Sequence, residues 1–382
     1  MRRLFPKKGV IKRLLTIARR RNGEEEEGLP GNGVSLPPDG HSPEKPTWRC
    51  FSYEEILHST RGFHQDNLVG RGGYAEVYRG ILQDGREIAV KRLTRASPEG
   101  QKQKDFLVEL GTVAHVCHPN VSTLVGCCID CGLYLVFQFS SHGSLSSLLH
   151  DERAHPPPWE LRYKIAVGVA AGLRYLHEGC RRRIIHRDIK ASNVLLTADF
   201  TPQISDFGLA SWLPSQWTHR TAAAIEGTPG YLAPEYFTRG VVDEKTDVFA
   251  FGVLLLEILS GKKPVDGAHR SLLSWARPLL REGATAELVD SRLADGSYDK
   301  DQLYRLAFAS SLCIRARAAR RPSMSEVLDL LAGGEASLER WKPPAEEDDE
   351  EEDGDEEDEL WELDEHEDCD SPVFSLSSAA SS

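Results

Sequence analysis

The sequence predicts an α+β protein of two lobes: a small antiparallel β-sheet lobe carrying one helix, and a larger, mainly α-helical lobe. Three observations carry that expectation. Short alternating segments on either side of Asp84-Gly85 read as a β-hairpin. Apolar patterns of helical period run from Trp159 to Gly179 and from Asp247 to Leu259. Between those two patterns lies a polar stretch, His186-Arg187-Asp188-Ile189-Lys190-Ala191-Ser192-Asn193, followed by Asp206-Phe207-Gly208. A chain of 382 residues has ample length to bury a core of this size.

Composition narrows the class. Eight cysteines stand at 50, 117, 127, 128, 131, 180, 313 and 369, and the pair Cys128 and Cys131 has no second pair at zinc spacing, so reduced core thiols are expected. No uncharged apolar run approaches the roughly 18 residues of a membrane span, and no secretory signal opens the chain; an intracellular protein is expected. The net charge of −13 is sorted to the ends: residues 1–21 carry nine Lys or Arg and no acid, residues 346–370 carry nineteen acids and no Lys or Arg. The remainder is close to neutral, and no nucleic-acid partner is expected.

Residues 1–21 read as a basic amphipathic helix. Val10, Ile11, Leu14, Leu15, Ile17 and Ala18 share one arc, opposite Lys12, Arg13, Arg19 and Arg20. Such a helix suits an anionic membrane surface or an acidic partner, with a transit peptide poorer in Ser than usual and a plain solvated arm as the alternatives, and Arg2 rules out N-myristoylation. Residues 22–50 read as a disordered linker, rich in Gly, Pro and Glu up to residue 47. The acidic and Ser-rich tail, 345–382, has no apolar stripe that could offset the entropy of ordering it. Attraction between the two charged ends would set the tail in competition with a membrane for the basic helix.

The hairpin follows Gly70-Arg71-Gly72-Gly73-Tyr74-Ala75-Glu76-Val77. A dinucleotide-binding turn would need a helix directly afterwards, whereas strand, turn and strand follow. A hairpin loop can fold over a nucleotide, and Gly70, Gly72 and Gly73 leave room for backbone N–H groups to approach phosphates, with Val77 beside them. Period two puts Ala89 and Lys91 on one face of the next strand, a small residue suited to adenine beside a cation suited to phosphates. Further on, Phe106, Leu110, Val113 and Ala114 form one helical stripe that includes Glu109. A carboxylate there must be paired or suffer desolvation, and Lys91 is the expected partner. Leu133 to Phe139 is an apolar strand that breaks at Ser140-Ser141-His142-Gly143, as expected of a lobe connection whose backbone bonds adenine. Phe137 is placed behind the adenine, Phe139 on the connection, and Leu195 on the floor of the nucleotide site.

In the polar stretch, Asp188 is the candidate base that orients a hydroxyl and takes its proton, with Lys190 two residues on. Asn193 and Asp206 supply oxygen ligands for Mg²⁺. Gly227-Thr228-Pro229-Gly230-Tyr231-Leu232-Ala233-Pro234-Glu235 closes the segment after Asp206, and Glu235 is expected to be buried against Arg321 in a structural ion pair.

These motifs, in this order from residue 63 to about 333, resemble a protein kinase domain. Phe51-Ser52-Tyr53 and Gly126-Cys127-Cys128 bring it close to plant receptor-like kinases of the interleukin-1-receptor-associated and Pelle-like group. The loop Gly70 to Val77 and the Gly-Cys-Cys-Ile-Asp run resemble class VI of the receptor-like cytoplasmic kinases; Ala75 departs from the kinase pattern, which has a third glycine there. The resemblance implies a two-lobed kinase domain over 63–333, with lobes 63–138 and 139–333. It also implies Ser/Thr phosphorylation with ATP and Mg²⁺, or Mn²⁺ as an alternative, and a cytoplasmic location, peripheral to the plasma membrane if the N-terminal helix binds there. Protein substrates with Ser/Thr acceptors are implied too, as is a plant Rho-type GTPase partner, since some class members bind one. Lys190 supports Ser/Thr over tyrosine specificity. A pseudokinase scaffold is the alternative, against which Lys91, Glu109, Asp188, Asn193 and Asp206 are all present. Arg187 is expected to await a phosphate on the segment between Asp206 and Glu235, where this chain carries Ala222, Ala223 and Ala224. Of Thr218, Thr221 and Ser215, Thr221 is the expected acceptor unless the segment orders without phosphate; Thr228 is expected to pack beside Lys190 and Asp188.

Overall fold

The computed structural model describes residues 48–72, 75–94, 99–151, 153–214, 216–294, 296–334 and 340–341. The basic helix expected over 1–21, the linker as far as residue 47, Gly73 and Tyr74, Ser215 and the tail expected over 345–382 lie outside them. The described residues divide into two compact units, those from 48 to 117 with 123–139, and 118–122 with those from 140 to 341. The division expected between 138 and 139 thus falls one residue later. Residues 118–122 join the second unit because they hydrogen-bond there: Ser122 N–H donates to Ile204 O at 2.9 Å.

The first unit is a six-stranded sheet in the order β1-β5-β6-β4-β3-β2. Its strands are β1 Arg49–Cys50, β2 Leu68–Arg71, β3 Ala75–Ile81, β4 Glu87–Leu93, β5 Leu124–Cys128 and β6 Tyr134–Gln138. Only β1 with β5 pairs in parallel. The β3–β4 hairpin turns at Gly85, whose φ of 85° suits glycine, and Asp84 accepts the Arg86 N–H at 3.0 Å. Alternation holds across it: Tyr78 and Ile88 are buried, Arg79 and Ile81 exposed.

Among the described residues two α-helices belong to this unit, α1 Tyr53–Ser59 and α2 Glu99–Val113. Ser52 begins α1 with a reciprocal capping box to Glu55. Phe51 and Ile56 join Ile88, Val90, Cys128, Tyr134 and Val136 in one apolar cluster. The linker expected to reach residue 50 is therefore corrected at its end: Trp48 is buried and Arg49–Cys50 is a strand. The Gly/Pro/Glu-rich composition stops at residue 47. From Trp48 onward, burial of large apolar side chains at about 1.5–3 kcal/mol each holds the chain on the sheet. Gly126 permits that approach, since a Cβ there would lie 2.1 Å from Arg49 O.

The second unit is mainly helical: α3 Leu145–His150, α4 Trp159–Arg174, α5 Pro234–Arg239, α6 Glu244–Ser260, α7 Leu272–Arg281, α8 Lys300–Cys313 and α9 Met324–Ala332. Strand pairs β7 Arg183–Ile185 with β10 Ser211–Leu213, β8 Val194–Leu196 with β9 Pro202–Ile204, and β11 Arg220–Thr221 with β12 Val241–Val242 frame its loops. The pattern expected to run as one helix from Trp159 to Gly179 changes form after Arg174, where Tyr175–Gly179 makes a π-helical turn. Its wider turn carries the buried His177, whose partner lies on α6. Helix α6 is capped by Asp243 and ends at Gly261, φ 65°. Every residue from Thr246 to Ser260 is buried, so the helix is enclosed all round and its two buried acids, Asp247 and Glu257, need partners inside the protein.

Candidate active site

In the first unit the β4 register brings Lys91 opposite Val77 on β3 and Leu135 on β6, and Ala89 opposite Phe137. Lys91 Nζ donates to both Glu109 oxygens, at 2.7 and 2.8 Å. Glu109 is buried on α2 beside Phe106 and Leu110. A fork of this kind fixes the ammonium at one place on the sheet. Phe137 and Phe139 are half-buried, and the guanidinium of Arg79 lies 5.3 Å from the Phe139 ring centre.

The glycine loop joins β2 to β3. Neither Gly70 nor Gly72 has positive φ, and a Cβ on either would meet only ordinary contacts, at 3.7 Å and 3.9 Å. The hairpin's own packing therefore does not require glycine there, which suits a loop that leaves room for a ligand. Gly72 N–H donates to Ala75 O at 2.9 Å. Ala75 starts β3 opposite Leu93, a strand position where a methyl group is tolerated, which accounts for its departure from the three-glycine pattern.

In the second unit the polar residues converge on Asp188. One carboxylate oxygen accepts from Thr228 Oγ1 at 2.7 Å. The other lies 2.9 Å from Lys190 Nζ and accepts from Asn193 Nδ2 at 2.9 Å. Lys190 Nζ also donates to Thr228 Oγ1 at 2.7 Å. Thr228 is thus packed between Lys190 and Asp188. Asn193 is tied by its amide nitrogen, which also donates to Asp188 O, so the amide oxygen is the atom it can offer to a metal. Asp206 has φ 64°, a left-handed conformation costly for a residue with a side chain, and Phe207 beside it is buried with its ring edge-on to His186. Leu195 sits on β8 opposite Gln203.

Arg187 is also left-handed, at φ 70°. The turn is held by Asp247 of α6, whose two oxygens accept the N–H groups of His186 and Arg187 at 2.8 Å each. His177 Nε2 approaches the same carboxylate at 2.9 Å. Burial alone would raise the Asp247 pKa, but the hydrogen bond and charge of His177, with help from His186, hold it below the ordinary value of 3.8. A second strut comes from Tyr231, which donates to Glu257 and accepts the Ala191 N–H at 3.3 Å; His150 meets the other Glu257 oxygen at 2.7 Å. Burial raises the Tyr231 pKa, followed by the charge of Glu257, so the phenol stays a donor.

Asp247, Tyr231 and Glu257 were not singled out from the sequence. The available signal was an acid inside an apolar helical run, at DVFAFG and LLLEIL, where a buried charge has to serve something.

The Arg187 guanidinium donates to Tyr236 Oη at 2.6 Å, to Leu209 O at 3.1 Å and to Glu226 Oε2 at 3.4 Å. Tyr236 Oη in turn accepts Glu226 N–H at 2.9 Å and donates to Glu226 O at 2.8 Å. Thr218 and Thr221 are exposed, Thr221 on β11. Glu235 meets Arg321 through two parallel hydrogen bonds of 2.8 Å, both side chains buried.

Among the described residues no group of three or more His, Cys, Asp or Glu could hold a metal by itself. The oxygens of Asp206 and Asn193 suit Mg²⁺, which takes one or two carboxylates and completes its shell with phosphate and water. No helix of the described residues is long and apolar enough to cross a membrane.

Residues 63–331 match the family model for protein tyrosine and serine/threonine kinases, and the chain belongs to that family. Its sheet unit and helical unit form the two-lobed kinase fold. The relatives are more particular. The chain is 55% identical over 285 residues to the receptor-like cytosolic serine/threonine-protein kinase RBK2 of Arabidopsis thaliana, covering 75% of this chain and 62% of that protein. It is 53% identical over 302 residues to a probable receptor-like serine/threonine-protein kinase of the same plant, covering 78% and 52%. It is 48% identical over 297 residues to the receptor-like cytosolic kinase RBK1, covering 77% and 63%. The chain spans between about half and just under two thirds of the length of these relatives.

Proposed function

We propose that the protein is a serine/threonine kinase that transfers the γ-phosphate of Mg-ATP to protein substrates. The observation that carries this reading is the Asp188 carboxylate, held by Lys190, Asn193 and Thr228 at hydrogen-bond distance. In this reading Asp188 accepts the proton of the acceptor hydroxyl, and Lys190 steadies charge beside it. Asn193 and Asp206 are the metal ligands, and the bound ion supplies charge neutralisation on the phosphates. Lys91, fixed by Glu109, binds phosphate; Gly70, Gly72, Gly73 and Val77 cover it; Ala89, Phe137, Phe139 and Leu195 border adenine. Glu235 and Arg321 are structural. The reading is tested by incubating the protein with γ-labelled ATP and a Ser/Thr-containing acceptor: label should appear on serine or threonine with Mg²⁺ and vanish with EDTA. Nucleotide binding without transfer would select the scaffold alternative.

The segment between Asp206 and Glu235 is proposed to order without phosphate. Glu226 supplies the anion that Arg187 would otherwise take from a phosphorylated Thr218 or Thr221, Thr221 being the acceptor in that case. Phosphatase-treated protein should keep full activity, and Glu226→Gln should lower it by about 3- to 10-fold, as expected for one charge-assisted contact at a half-exposed site. Activity that disappears with phosphatase would restore Thr221 as the switch.

A plant Rho-type GTPase is the proposed regulator, on the class VI resemblance. A pull-down with the GTPase in GTP-loaded and GDP-loaded forms should show preference for the former; equal or absent binding removes the partner. Location is proposed as cytoplasmic, with residues 1–21 on an anionic membrane surface and the acidic tail, 345–382, competing for them.

A further inference from the structure

Strand β1 places Cys50 directly opposite Cys127 of β5, in parallel register. Neighbouring strands lie about 4.7–4.9 Å apart, within the Cα separation of about 4.4–6.8 Å that a disulfide bridges. Paired residues of neighbouring strands put their side chains on the same face of the sheet, so the two thiols are neighbours. They differ in access: Cys50 is exposed and Cys127 is 1% exposed. Of the other cysteines nearby, Cys128 points to the opposite face by strand alternation, in the apolar cluster, and Cys131 stands exposed at the turn beyond β5.

We propose that Cys50 and Cys127 form an oxidation site in which a peroxide reacts at Cys50 and Cys127 resolves it into a disulfide. In the first step the Cys50 thiolate attacks one peroxide oxygen, the O–O bond breaks, and Cys50 becomes a sulfenic acid while the other oxygen leaves as water or alcohol. In the second step the Cys127 sulfur attacks the Cys50 sulfur; hydroxide leaves and takes the Cys127 proton to form water. Two thiols lose two electrons in all, and one peroxide gains them.

The environment suits each part. The neighbouring Cys50 thiol, with burial behind it, pushes the Cys127 thiol above its ordinary range. Cys127 is therefore slow to react with peroxide itself, and it is drawn in only by the sulfenic acid that forms on exposed Cys50 directly across the strand pair. The bond would tie the segment Trp48–Ser59, with its core residues Phe51 and Ile56, covalently to the middle of the chain. In a reducing compartment such a bond is transient, made by oxidant and removed by thiols.

The test uses the full chain, treated with hydrogen peroxide and digested without reduction. A cross-linked peptide joining Cys50 to Cys127 is expected, lost on dithiothreitol and absent in Cys50→Ser, an exposed position where folding is undisturbed. In that variant Cys127 should stay reduced. Three results would overturn the proposal: both thiols surviving peroxide at which the surface cysteines Cys117 and Cys131 oxidise, Cys50 joined to another cysteine, or Cys50 carried to sulfinic acid with Cys127 still a thiol.

Discussion

Asp188→Asn is expected to lower kcat for transfer to serine or threonine by about 10²–10⁴-fold, the range a positioned general base contributes, if Asp188 is the base proposed above. The surroundings of the group are the reason. Three donors, Thr228 Oγ1, Lys190 Nζ and Asn193 Nδ2, already face the two carboxylate oxygens. An amide of the same shape must turn its oxygen towards the Lys190 ammonium, which leaves an NH₂ group where the acceptor hydroxyl has to give up its proton. The substitution therefore removes the acceptor without removing the fold, since the turn itself is held through the backbone by Asp247. Steady-state kinetics with ATP varied should show kcat reduced and KM for ATP changed by no more than about 3-fold, as for an interaction made only in the transition state. An unaltered kcat would take the base assignment away from Asp188.

Arg321→Ala is expected to destabilise the second unit by about 3–5 kcal/mol, the cost of breaking a buried pair by removing one partner. Arg321 is 1% exposed and Glu235 4%. Beyond the two bonds to Glu235, its guanidinium donates to the carbonyls of Arg315, Lys245 and Ala316 at 2.6, 3.0 and 2.8 Å. The deletion strands a carboxylate and three carbonyls at once. Arg321→Lys should recover only part of the loss, because one ammonium cannot reproduce a planar fork with five N–H groups. Urea unfolding followed by circular dichroism reads both variants; a change under about 1 kcal/mol in Arg321→Ala would mean that water reaches Glu235 in solution.

How far the sequence reaches depends on whether a feature is local. The β3–β4 hairpin is legible because alternation and the Asp84-Gly85 turn are read within a few residues, and so is the helix bearing Glu109, since period and burial coincide there. Residues 48–50 read as linker because composition is judged over a window, and one buried Trp48 does not change the average. The break in the pattern after Arg174 is invisible, since a π turn keeps the same apolar residues and alters only their rotation. In the site, motif spacing locates Asp188, Asn193, Asp206 and Lys91 but says nothing of what holds them.

What is periodic or compositional is in the sequence: the β3–β4 hairpin, the long apolar helices, the acids and bases that exist to be paired, and the charge gathered at the two ends. Tertiary structure alone decided the partners. Asp247 meets the N–H groups of His186 and Arg187, about sixty residues earlier in the chain; Glu226 faces Arg187; Cys127 lies opposite Cys50 across a strand pair. The reason is physical. Backbone conformation is set by each residue's nearest neighbours, whereas a buried charge or thiol is satisfied by whichever group the chain brings back to it, and that return is fixed only when the core has packed.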